Sequence, residues 1–425
     1  MKKIILAVSL LFAMGITAQD TYLQCGSIVD TKAGKELKEK TIVVSGDKIK
    51  AVQDGFTTGG KNDIVIDLKD KTVLPGFIDL HVHIESESGP KAYMNRFTKN
   101  EADVAFQSTV YAKRTLMAGF TTVRDLGGTG VNIALRNAID NGLVDGPRIF
   151  TAGKSLATTG GHADPTNGMK KSLMEDPGPK QGVVNSPEDG RKAVRQRYKD
   201  GSDVIKITAT GGVLSVAKNG KNPQFTIEEI KAITETAEDY GMLTAAHAHG
   251  DEGMRRAVLG GIKTIEHGSY MSNETMELMI QHNAYMVPTI TAGKQVAEKA
   301  KIPGFFPEVV AKKAIEIGPL IQDTFERAYK KGVPIAFGTD AGVFPHGLNA
   351  KEFGYMVEVG MPIMEALASA TITNAQLLGM EAELGQLKGG FLADIVAVDE
   401  SPKTNVATLE NVMFVMKNGK VYKNE

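Results

Sequence analysis

Between Gly76 and Leu378 the chain repeats one unit, a short apolar run followed by a longer stretch of helical character. Parallel strands need a long crossover between them, and a helix is the usual one, so the alternation predicts stacked βα units. The apolar runs lie at Gly76–His83, Thr121–Asp125, Arg148–Ala152, Asp203–Thr208, Leu243–His247, Thr264–His267, Tyr285–Ile290 and Pro334–Thr339. Glu101–Met117 (closed by Gly119), Pro307–Lys331 and Pro362–Leu378 carry the clearest helical patterns. Such an α/β chain is expected to form a (β/α)8 TIM barrel, with its chemistry at the C-terminal ends of the strands.

The two chain ends read differently. Thr41–Asp47 looks like a strand entering a turn, with Ile49–Val52 as its partner. Ala393–Val398 and Val412–Tyr422 have the same character, and Asn418-Gly419 is a hairpin turn signal. Neither end is long enough for a core of its own, so residues 20–75 and 385–425 are expected to join in one small β-sandwich domain beside a barrel at 76–384.

Residues 1–19 have the layout of a secretory signal peptide. Met1-Lys2-Lys3 precedes an apolar run from Ile4 to Ile16, and polarity returns at Thr17-Ala18-Gln19-Asp20. The run is too short for a stable membrane span. An exported protein, periplasmic or secreted, is expected; a buried N-terminal strand or helix is the alternative. Cys25 is the only cysteine, so no intramolecular disulfide is available. It reads as a strand residue, because Leu23 and Gln24 stand where lipid attachment would need small residues. A net charge of -1 over 425 residues gives no field for nucleic acid.

His81 and His83 end the first run one residue apart, and side chains alternate across a strand, so both face one side and can grip one cation. Asp340, at the end of the eighth run, reaches the same place if the barrel closes. Lys206 lies in the apolar run Val204-Ile205-Lys206-Ile207, where an unpaired ammonium is costly. Carboxylated by carbon dioxide, its amine would become a bridging carbamate; a salt bridge to Asp340 or a reach to solvent is the alternative. His247 and His267 end the fifth and sixth runs and supply two more nitrogens. Histidine and carboxylate donors for two divalent ions suit zinc first, then manganese or cobalt.

The order His-x-His, Lys, His, His, Asp on successive strands resembles the binuclear metal-dependent amidohydrolase superfamily. Thr72-Val73-Leu74-Pro75-Gly76-Phe77-Ile78-Asp79 and Gly389-Gly390-Phe391-Leu392-Ala393-Asp394-Ile395-Val396 are also similar to it. Thr159-Gly160-Gly161-His162-Ala163-Asp164, Thr210-Gly211-Gly212-Val213-Leu214-Ser215 and Ala246-His247-Ala248-His249-Gly250 resemble the branch labelled Xaa-Pro dipeptidase or imidazolonepropionase-like amidohydrolase. The resemblance spans nearly all of the chain beyond the leader. It implies that His81, His83 and Asp340 hold one ion, that His247 and His267 hold a second, and that carboxylated Lys206 bridges them. It further implies attack by a hydroxide shared between the ions, with Asp340 as general base and then general acid.

His162, His249 and His346 remain as candidate substrate contacts. His162 would meet the reacting carbonyl or a carboxylate, and His249 a C-terminal carboxylate, with a structural hydrogen-bonding role as the alternative for each. His346 is either a contact from the eighth loop or an exposed surface residue, and His282 a surface residue at a helix end. The expected activity is hydrolysis of a peptide or amide bond in a small substrate, most simply by a dipeptidase. A cyclic-amide hydrolase is the rival enzyme; a mononuclear deaminase would leave Lys206 without a role. A non-catalytic barrel used for binding would be marked by lost ligands, and none is lost. Oligomeric state is left open.

Overall fold

The computed structural model describes residues 19–216 and 219–425. The expected leader therefore lies almost entirely outside the described residues. Among the described residues no helix is long and apolar enough to cross a membrane.

The N-terminal strands are β1 (Asp20–Asp30), β2 (Lys35–Ser45), β3 (Lys48–Asp54) and β4 (Ile64–Pro75). Seven parallel strands follow: β5 (Phe77–Val82), β6 (Phe120–Asp125), β7 (Arg148–Thr151), β8 (Val204–Thr208), β9 (Leu243–Ala248), β10 (Thr264–His267) and β11 (Tyr285–Val287). The chain ends with β12 (Ile395–Val398), β13 (Val412–Lys417) and β14 (Lys420–Asn424).

Both chain ends share one sheet, as their patterns predict, in the order β14-β13-β12-β4-β1-β2-β3. The seam is the antiparallel pairing of β12 on β4, with Ile395 opposite Pro75. Leu23, Cys25, Ile42, Val73, Ile395 and Phe414 pack in a core belonging to this sheet. Cys25 is fully buried there, and burial pushes its thiol up to about 12, which fits an inert strand residue. Asn418 and Gly419 form the β13–β14 turn with φ of 48° and 73°, the left-handed pair that a two-residue hairpin demands.

The central strands form two parallel sheets, β5-β6-β7 and β11-β10-β9-β8. Isolated bridges join their edges: Leu156 to Ile207, Met286 to Ile335 and Val82 to Ala341. The segment 334–341 lies between β11 and β5, as the sequence predicts for its last strand, but it is not a continuous strand. The Thr339 N–H donates to the Asp79 carboxylate at 3.1 Å instead of to a neighbouring strand, and Asp340 takes a φ of 61°. Phe77, Phe120, Phe337 and Phe353 stack beneath it, with ring centroids 4.4–5.8 Å apart along the chain of contacts.

Two boundaries differ from expectation. The seventh run stops as a strand at Val287, before Pro288, and a helix starts at Ile290 (Ile290–Ala300). The predicted helix Pro307–Lys331 is two helices, Glu308–Ile317 and Leu320–Lys331, because Pro319 has no N–H to continue the ladder. The helical stretch Ile363–Leu377 carries a π turn at Ser369–Thr373. From its end, the Asn374 side chain donates to the carbonyls of Ile78 and Phe337 at 2.8 and 2.9 Å, fastening β5 to the segment beside it.

Candidate active site

The strand ends converge on a cavity of about 270 Å³ whose wall includes His81, His83, His162, Lys206, His247, His249, His267 and Asp340. All the expected site residues meet there except His346. Among the described residues, His247, His249 and His267 present ligand atoms within 4.8 Å of one another, and so do His81, His267 and Asp340. The alternation argument for β5 holds: the Nε2 atoms of His81 and His83 lie 3.4 and 3.3 Å from the same atom, Asp340 Oδ1.

Neighbouring groups fix which nitrogen each ring offers. His81 Nδ1 donates to Glu266 Oε2 at 2.8 Å and His83 Nδ1 to the Gly127 carbonyl at 2.7 Å, leaving both Nε2 lone pairs facing Asp340. His247 is reversed: its Nε2 donates to the Gly211 carbonyl at 3.1 Å, so Nδ1 is the free nitrogen. His249 and His267 bind the hydroxyls of Ser269 and Thr289 through Nδ1, at 2.7 and 2.8 Å. The backbone is strained here, with His267, Thr289 and Asp340 all in the left-handed region at φ of 71°, 57° and 61°.

Asp79 rivets the two halves of the site together. Its carboxylate accepts from His81 N, Thr339 N, Thr339 Oγ1 and Asn349 Nδ2 at 2.6–3.1 Å, setting the spacing of β5 against Asp340. At Gly338 only glycine fits, since a Cβ would meet Val287 Cγ1 at 2.4 Å. Glu352, fully buried, accepts from the N–H groups of Ile290 and Thr291, both at 2.7 Å, and so anchors the helix that follows Thr289.

The family model described as "Amidohydrolase family" matches residues 72–422. The chain belongs to the amidohydrolase family. A solved structure described as a Xaa-Pro dipeptidase with bound methionine in the active site is 52% identical, with a TM-score of 0.93, covering 96% of this chain and all of that one. A prolidase solved in complex with N-methylphosphonate-L-proline is 32% identical, with a TM-score of 0.88 over 96% of this chain and all of its own. Ochratoxinase from Aspergillus niger is 32% identical over 372 residues, 83% of this chain and 75% of its own length. This chain is accordingly a hydrolase of amide, carbon–nitrogen bonds.

The donor set of this amidohydrolase fits divalent cations. Asp340 Oδ1 is buried with no hydrogen-bond partner, although two imidazole nitrogens lie beside it. A cation seated among them would satisfy the orphaned oxygen and both free lone pairs. Burial keeps the rings neutral, as ligation requires: His83 is pulled down to about 4, and His81, His247 and His267 well below their ordinary value. Lys206 is 3% exposed, and burial pulls its ammonium down to about 8 against the opposing pull of Glu266 and Asp340. The close polar contacts of Asp340 run to the neutral rings of His81 and His83, while burial pushes its own carboxyl up to about 8.

His346 corrects the sequence reading. It is 4% exposed, so not a surface residue, and it lies outside the cavity wall, stacked on Tyr111 at 5.0 Å with Nε2 on the Ser86 carbonyl at 3.1 Å. His282 is exposed at a helix end, as expected. The sequence reading missed the Glu266–Arg124 pair. Arg124 donates to Glu266 Oε1 at 3.0 Å and to the Leu80 carbonyl at 2.6 Å, and both side chains are fully buried. A carboxylate inside the apolar run before His267 was the available signal. Glu266→Gln should weaken cation binding by about 10- to 100-fold, measured by chelator competition, because His81 loses its charged orienting partner. It should also lower the melting temperature, since Arg124 is left buried without a counter-charge.

Proposed function

We propose that this amidohydrolase is an exported dipeptidase working at two divalent cations, most simply zinc, in a closed (β/α)8 barrel flanked by a small β-sandwich domain. The observation that carries the reading is the 52% identity, over the whole of its length, to a structure described as a Xaa-Pro dipeptidase with methionine in its active site. A free amino acid is what peptide-bond hydrolysis releases, and a cavity of about 270 Å³ suits a dipeptide better than a long chain.

In this reading His81, His83 and Asp340 would hold one cation, His247 and His267 the other, and Lys206, as a carbamate, would serve both. The carbamate forms when the neutral Lys206 amine bonds the carbon of carbon dioxide and releases a proton; burial favours that neutral amine. When bound, the cations supply acidification of water and polarisation of the scissile carbonyl. Asp340 then takes a proton at a carboxylate oxygen and returns it to the leaving nitrogen. His162 stands in the cavity wall with Nδ1 buried and unpaired, ready to hydrogen-bond the substrate's carbonyl or carboxylate. His249 is held by Ser269 and presents Nε2 for a terminal carboxylate, in a group close enough to His247 and His267 to ligate as well.

The test is a hydrolysis screen of the zinc-reconstituted protein, with bicarbonate, against an L-Xaa-L-Xaa dipeptide library alongside N-acyl amino acids. Cleavage of dipeptides is expected. Silence toward both series with two metals bound would sink the reading and favour a cyclic amide.

A further inference from the structure

Part of the cavity wall is apolar. Val213, Leu214, Val296, Ile317, Ile321 and Val343 line it, and all of these but Ile321 pack in one hydrophobic cluster. Among the described residues, Lys206 and Asp340 are the only ammonium and carboxylate groups in the whole lining, and both belong to the reacting end. Such a wall takes an apolar side chain, because nothing on it can hydrogen-bond a polar one.

Two features fix where that wall sits. The Val343 N–H donates to the Asp340 backbone carbonyl at 3.0 Å, a turn that keeps Val343 within three residues of Asp340, and both line the cavity; in the dipeptidase reading Asp340 hands its proton to the leaving nitrogen. The side chain of the leaving residue is only two bonds from that nitrogen. Lys313, 7% exposed on the helix Glu308–Ile317, donates through Nζ to the carbonyls of Gly212 and Ser215, both at 2.7 Å. These contacts straddle Val213 and Leu214 and latch their loop onto the helix that carries Ile317.

The geometry points to an aliphatic side-chain pocket for the C-terminal residue of the substrate, with Lys313 as a positioning residue that holds its loop wall in place. This inference rests on the dipeptidase reading for its substrate, but not for the pocket itself. Dipeptides ending in methionine or leucine are preferred, and those ending in glycine, alanine or aspartate are poor. Each methylene in an apolar pocket is worth about 10-fold or more in kcat/KM, so Ala-Met should exceed Ala-Ala by about 100-fold.

The experiment uses the full chain loaded with zinc. The kcat/KM values of Ala-Met, Ala-Leu, Ala-Ala, Ala-Gly, Ala-Asp and Met-Ala are compared, and free L-methionine and L-aspartate are titrated as ligands by calorimetry. Ile317→Asn should erase the preference. Lys313→Met keeps the stem but removes the ammonium; it should raise KM for Ala-Met about 10-fold and KM for Ala-Gly much less, an asymmetry that a general loss of stability would not produce. Ile317→Ala is the milder variant should either fail to fold. Dipeptides cleaved without preference, or with preference at the N-terminal residue, would overturn the pocket and leave the dipeptidase reading standing. Cleavage confined to N-acyl-methionine and N-acyl-leucine would do the reverse. With no hydrolysis at all, tighter binding of methionine than aspartate supports the pocket, and equal binding overturns it.

Discussion

Lys206→Ala is expected to bind at most one zinc per chain instead of the proposed two, and to lose at least about 10³-fold in kcat/KM. Lys206 lies on β8 and lines the cavity together with His81, His83, His247, His267 and Asp340. No other lysine lines that cavity among the described residues, so no neighbour can replace it in the proposed bridging role. A cation that polarises a carbonyl contributes several kcal/mol to the transition state, and 1.36 kcal/mol is tenfold, which gives the size of the loss. The metal-free variant should melt no lower than the metal-free parent, because a buried ammonium is a cost to the fold rather than a support. That combination separates the proposed role from a structural one. Elemental analysis, a melting curve and one kinetic comparison suffice; an unchanged metal content would refute the bridge. Reconstitution of the parent with zinc should also be slower when carbon dioxide is removed, since the proposed carbamate would have to form first.

The features legible in the sequence are those that one strand carries by itself. His81 and His83 are legible because a period of two needs no knowledge of neighbours, and Lys206 because a charge in an apolar run is conspicuous wherever the strand goes. Asn418-Gly419 forms its turn from local geometry alone. The misses involve partners far apart in the chain. Glu266 orients His81 across 185 positions, and Asp79 reaches Thr339 and Asn349 across 260 and 270. Residue types at such separations carry no mark of their pairing. His346 failed for the same reason: its place against Tyr111 and Ser86 depends on how two loops pack. The interrupted segment 334–341 is a further instance, since a side chain takes the N–H that a regular strand would have given to its neighbour.

Asp340→Asn tests the proton path. The variant should keep both metals and a near-normal KM, yet lose about 10²- to 10⁴-fold in kcat, the range that a positioned acid–base group supplies. Asparagine fits the position for two reasons. It is one of the few residues that accept a left-handed backbone, and the φ here is 61°. It also keeps an oxygen that can face His81 and His83. What it cannot do is take and return a proton. The acid limb of the pH–rate profile should vanish with it, whereas a purely ligating role for Asp340 would leave that limb in place. The metal-free proteins offer a second readout. Burial raises the folded carboxyl from 3.8 to about 8, so between those values the folded state holds a proton that the unfolded state has released. Stability must then fall as pH rises through that window. Asp340→Asn removes this contribution, so its melting temperature should decline less between about pH 4 and 8. Equal slopes would mean that the carboxyl is not held protonated in the metal-free protein.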